Sequence, residues 1–139
     1  MSLEAAREHL NLASQQWERA SSDAWEPADA PSCVTNVFYA YENLIVAVAE
    51  ATNKPWVKDH YKKAKLAAEF AETKVLSKDL SDQMLRLNTL RKDVSYGEPG
   101  MELREEDLEA LVNDLETTIN EVTEIVTRLE EEADKEGEE

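Results

Sequence analysis

Arg91, Lys92 and Tyr96 stand at the end of an amphipathic segment, immediately before Gly97. A guanidinium forks onto a phosphate, an ammonium adds a point charge and a phenol donates a hydrogen bond, so the three suit a phosphodiester. On a continuous helix their spacing puts Arg91 and Tyr96 about 140° apart in projection. The two converge only if the helix loosens before Tyr96, which the glycine after it permits. Basic residues complementing the dipole of a helix end have the same composition. Glu42 and His60 are the other candidates. Glu42 lies in an otherwise apolar run, and a buried carboxylate needs a partner. Arg91 is the natural one, whether as a structural pair or within a ligand site. His60 can replace Tyr96 as a base, because a phenol titrates near 10 against about 6.5 for imidazole and serves poorly at neutral pH.

Other chemistries are not encoded. The two histidines, His9 and His60, lie far apart, and Cys33 is the single cysteine, so a disulfide, a cysteine-rich zinc site and a histidine metal signature are excluded. No metal or cofactor is expected. Cys33 reads as a small buried side chain and His9, off the apolar stripe, as a surface residue. No glycine-rich phosphate loop or nucleophile elbow occurs. Glu105, Glu106 and Asp107 read as partners of a helix dipole. Trp17, Trp25, Trp56 and Tyr61 do not interleave with basic residues as a base-stacking platform does, and read as core and loop anchors.

Five helices must position these residues. Leu3, Ala6, Leu10, Ala13, Trp17, Ala20 and Ala24 recur at spacings of three and four, with Ser2 as a cap. Pro27 and Pro31 interrupt, and Pro31 suits the first turn of a second helix running from about residue 31 to 52. Its wide face of Val34, Val37, Phe38, Tyr41, Leu44, Ile45 and Val48 marks it as central. A third helix is expected from Trp56 through Val57, Tyr61, Ala64, Ala67, Ala68, Ala71 and Val75, with its lysines on the opposite face. Ser77 caps a fourth, carrying Leu80, Met84, Leu87, Leu90 and Val94. After the break at residues 97–100, Leu108, Leu111, Val112, Leu115, Ile119, Val122, Ile125, Val126 and Leu129 define the fifth and longest. Helices two, four and five carry the widest apolar faces and should supply most of the core. The fold class is all-α, an antiparallel up-and-down bundle formed by residues 1–129 as one domain. Residues 130–139, with seven acids and no large apolar side chain, read as a disordered tail.

The formal charge is −16, which repels polyanions and excludes non-specific nucleic-acid or membrane binding as the whole function. Residues 102–139 carry a net −13, whereas residues 54–92 carry +5. That basic middle can hold a phosphate-bearing ligand locally or match the acidic segment of another protomer. No run reaches the length of a membrane span, so a cytoplasmic protein is expected.

Tyr39-Ala40-Tyr41-Glu42-Asn43-Leu44, Lys58-Asp59-His60-Tyr61 and Arg91-Lys92-Asp93-Val94-Ser95-Tyr96-Gly97 together resemble the HEPN superfamily of small helical bundles. The likeness covers roughly residues 1–129. In that family an Arg is followed after a few residues by a His, and here Tyr96 occupies the His position. Active members are metal-independent ribonucleases whose sites form at a symmetric dimer interface. The resemblance implies a homodimer, Arg91 as the phosphate-contacting residue and Tyr96 in place of the catalytic His. The resulting expectation is a HEPN-like binding or regulatory module without nuclease activity, in a toxin–antitoxin or phage-defence setting. Its ligand is RNA or a nucleotide through Arg91, Lys92, Tyr96, Glu42 and His60, or its partner a protein. The alternatives are a divergent metal-independent ribonuclease using Arg91 with Tyr96 or His60, and a helical protein-interaction domain unrelated to HEPN.

Overall fold

The computed structural model describes residues 2–24, 29–96 and 105–137, the side chains of residues 94–96, 105 and 106 excepted. The described chain is all-helical, with no strand: α1 (Leu3–Asp23), α2 (Ala30–Ala51), α3 (His60–Glu72), α4 (Ser81–Tyr96) and α5 (Glu105–Gly137). Trp25 and the break at residues 97–100 lie outside the described residues.

Ser2 caps α1 as its sequence predicts, its Oγ accepting from the Ala5 amide at 3.0 Å. Pro31 sits in the first turn of α2, where its missing donor is not required. Beyond α2 the chain turns through Asn53 at φ 60°, the left-handed region that asparagine tolerates better than most residues. Helix α1 lies along α2 for its whole length. Ser2 meets Glu50, His9 meets Asn43, and the Cys33 thiol reaches the Ala20 carbonyl.

Helix α2 is the centre of the core, buried from Val34 to Ala49 apart from Thr35, Asn36, Tyr39 and Asn43. Helix α5 supplies the second wall, with Leu108, Leu115, Val122 and Val126 among its buried positions. Helix α4 contributes less than expected, with Met84 and Leu87, and Leu80 just before it.

Three boundaries differ from the expectation. Helix α3 begins at His60 rather than Trp56, because Asp59 takes the cap and accepts from the Lys62 amide at 2.9 Å. Ser77 does not cap α4. Its amide and hydroxyl are held by Glu121 of α5, and the helix starts at Ser81, whose amide bonds the Asp79 carboxylate. The expected tail is helical to Gly137, past the last stripe residue Leu129, although side chains 131–137 are all exposed. Glutamate, alanine and lysine are strong helix formers and can extend an established helix without burying anything.

The face that α3 buries also differs. Leu66 and Phe70, with Ala64 and Ala67, turn inward, because two large side chains remove more apolar area from water than a row of alanines. That rotation leaves Tyr61 68 % exposed, and Val57, in the loop before the helix, is 50 % exposed.

Candidate functional site

The candidates Arg91, His60 and Glu42 meet where α4, the start of α3 and the middle of α2 converge. Arg91 is five residues from the end of α4, and its guanidinium lies over two aromatic rings of α2, 5.0 Å from the centroid of Phe38 and 5.5 Å from that of Tyr39. A cation over an aromatic face is attracted by the ring quadrupole. Asn88, one turn earlier on α4 and buried, fixes the guanidinium edge by accepting from Nε at 3.0 Å. Arg91 Nη2 then stands 3.5 Å from His60 Nε2.

His60 connects the arginine to the buried carboxylate. Its Nδ1 is 2.5 Å from Glu42 Oε2, and its ring meets Phe38 edge-on at 5.2 Å. The other oxygen of Glu42 faces Lys63 Nζ at 3.7 Å, and Lys63 also lies over the Trp56 ring at 5.7 Å. Exposure grades outward, with the Glu42 side chain 6 % and that of His60 37 % accessible.

This arrangement corrects the proposed direct pair between Glu42 and Arg91. The carboxylate is satisfied by His60 and Lys63, and arginine reaches it only through the imidazole. A buried carboxylate needs charge and hydrogen-bond compensation together. A histidine one cap away from Asp59 and a lysine three residues further along α3 deliver both from one side.

The cluster can bind an anion. A carboxylate on Nδ1 selects the tautomer protonated there and leaves the Nε2 lone pair facing Arg91. Two cationic side chains, Lys63 and Arg91, flank the single carboxylate of Glu42, and Lys63 already faces it. A phosphoryl oxygen can take the fork of Arg91, and a protonated His60 would add a second donor.

Lys92 is exposed beside Arg91. The backbone stays helical through Tyr96, so the loosening that would swing residue 96 toward Arg91 does not precede it; the Tyr96 side chain lies outside the described residues. Phe38, Tyr39, Lys63 and Asn88 were not among the sequence candidates. Each stands three or four positions from a candidate on the same helix, the spacing at which helical side chains are neighbours.

A second polar chain fixes the aromatic next to Lys63. The Trp56 indole donates to Glu50 Oε1 at 2.9 Å, and His9 meets its ring edge-on at 5.7 Å. His9 is therefore half-buried rather than a surface residue, with its Nδ1 2.9 Å from Asn43 Oδ1. The indole hydrogen bond leads the interactions that hold the Glu50 carboxyl below its ordinary range. Among the described residues no three histidine, cysteine or acidic side chains converge to hold a metal ion, and no helix is long and apolar enough to cross a membrane.

No family model, curated protein or solved structure matches the chain.

Proposed function

We propose that this chain is a HEPN-like, antiparallel up-and-down bundle that dimerises and binds a phosphate-bearing ligand at Arg91 and His60 without cleaving it. The observation that carries the reading is Arg91, held over Phe38 and Tyr39 and against Asn88 with Nη2 directed at His60. Ordering an arginine before the ligand arrives removes part of the entropy cost of binding. The lengthwise pairing of α1 with α2, Ser2 with Glu50 and Ala20 with Cys33, supports the antiparallel arrangement. A regulatory role, in a toxin–antitoxin or phage-defence setting, fits a site that holds a phosphate without turning it over.

The absence of cleavage rests on Tyr96. A phenol titrates near 10 unperturbed, about three units too high for a base at neutral pH. Purified protein is expected to leave single-stranded RNA intact, and Tyr96→His to introduce cleavage. Light scattering at micromolar concentration is expected to give a dimer, and a strict monomer removes the composite site.

One observation favours a second reading, a metal-independent ribonuclease. His60 has a carboxylate on Nδ1 and an arginine at Nε2, which is the geometry of an oriented general base beside a phosphate clamp. Cleavage by wild type that is lost in folded His60→Asn would select it.

A further inference from the structure

A groove of about 210 Å³ opens between α3 and the loop that precedes it. Lys62, Lys65, Leu66 and Glu69 line it from the helix, and their spacings of three, one and three put them on one stripe. Trp56 and Val57 face them from the loop. By helix rise the stripe is about 10 Å long, the span of about three extended residues.

The aromatic wall is in place before anything binds. The Trp56 indole is held by Glu50, and His9 meets its ring edge-on, so little order is left to lose when a ligand arrives. The charges around the groove are unequally committed. Glu69 is paired with Lys54 at 2.8 Å, and Lys63 turns its ammonium toward Glu42 and over the Trp56 ring. Lys62 and Lys65 are exposed and form no ion pair among the described residues. Two uncommitted cations thus border an apolar groove in a chain whose formal charge is −16.

We propose that the groove binds a small aromatic carboxylic acid, with its ring between Trp56, Val57 and Leu66 and its carboxylate on the ammoniums of Lys62 and Lys65. The site is separate from the phosphate site at Arg91 and His60 and does not depend on it. Volume sets the size of the ligand. An apolar cavity of roughly 150 Å³ is enough for benzene, so this groove has room for one ring and a short arm. Burial of the ring supplies the attraction and the lysines supply the orientation. The carboxylate of Glu69 at the far end repels a dianion more than a monoanion, which favours a carboxylate over a phosphate ester. The short length favours a free acid over a peptide chain.

The test titrates the full chain with phenylacetate, phenylacetamide and acetate. It follows the Trp56 indole N–H resonance, identified among the three tryptophan signals by its loss in Trp56→Phe. Phenylacetate should shift that signal saturably with a Kd of about 1 to 10 mM, as expected of so small a ligand. Phenylacetamide keeps the ring and loses the charge, and should bind at least about threefold more weakly. Acetate should give no shift in that range. Lys62→Ala with Lys65→Ala, both at exposed positions, should reduce the acid to the affinity of the amide, and unchanged amide binding shows that the variant is folded. Val57→Asp, in the loop, should weaken the acid more than the amide. Arg91→Ala should bind phenylacetate as wild type does. No saturable shift at concentrations tenfold above that range, equal affinity for acid and amide, or acid binding that survives the lysine changes overturns the proposal. So does loss of binding in Arg91→Ala, which would put the carboxylate in the cluster instead. Lysine-dependent binding that is tighter for phenyl phosphate, or for a tripeptide ending in phenylalanine, than for phenylacetate also overturns it.

Discussion

His60 Nδ1 lies 2.5 Å from Glu42 Oε2, so a half-exposed ring at the start of α3 is fixed by a carboxylate buried in the middle of α2. The carboxylate cannot remain there without that ring and Lys63, and the ring cannot present Nε2 to Arg91 without the carboxylate. Structure and site are coupled through one contact. Glu42→Gln is therefore expected to cost about 1 to 3 kcal/mol, the usual range for a buried polar group that loses a partner. It should also weaken ligand binding, and urea unfolding checks the first part. A variant as stable as wild type contradicts the account of Glu42.

Core positions give a cleaner measure of the fold. Leu115 and Ile45 are both fully buried, and Leu115→Ala and Ile45→Ala are each expected to cost about 2 to 5 kcal/mol through lost burial and the cavity left behind. Chemical denaturation with an unchanged slope checks this.

Cys33 makes the protein sensitive to alkali. Burial first, and then the nearby Asp23 carboxylate, push its thiol up from the ordinary 9.0 to about 11. The folded state thus favours the protonated thiol. Its contribution is complete below pH 9 and is lost as pH rises toward 11, about 2 to 3 kcal/mol in all. Wild type should lose stability over that window faster than Cys33→Ala. At neutral pH the native thiol should resist alkylating reagents and become reactive on unfolding.

Much of the fold was legible because spacing alone specifies it. The stripes of α1, α2 and α5, the Ser2 cap and Pro31 in a first turn follow from three-and-four periodicity and from groups that lack or need donors. The side of α3 was less legible. A stripe of alanines with Tyr61 and a stripe containing Leu66 and Phe70 both fit a helix, and packing against α2 and α4 decides between them. Ser77 looks like a cap in isolation, and only Glu121, distant in sequence, shows why it is occupied elsewhere.

The site was legible as a set of residues and not as a connection. Arg91, Glu42 and His60 stand out as charged or titratable groups near apolar stripes, but no sequence rule ranks His60 above Arg91 as the partner of Glu42. Thirty-one residues separate His60 from Arg91, and their approach depends on how α3 and α4 dock. Asn88 and Phe38 carry no chemistry of their own, and their roles appear only once Arg91 has a direction.

Binding of a phosphate between Arg91 and His60 must register on the imidazole itself. The chain has two histidines, so ring resonances of His60 and His9 can be followed separately while a uridine dinucleotide is titrated. Saturable movement of the His60 signals, still His9 signals and loss of the response in folded Arg91→Ala are the predicted result. Unmoved His60 signals at saturating dinucleotide, or an equal response in Arg91→Ala, would contradict it.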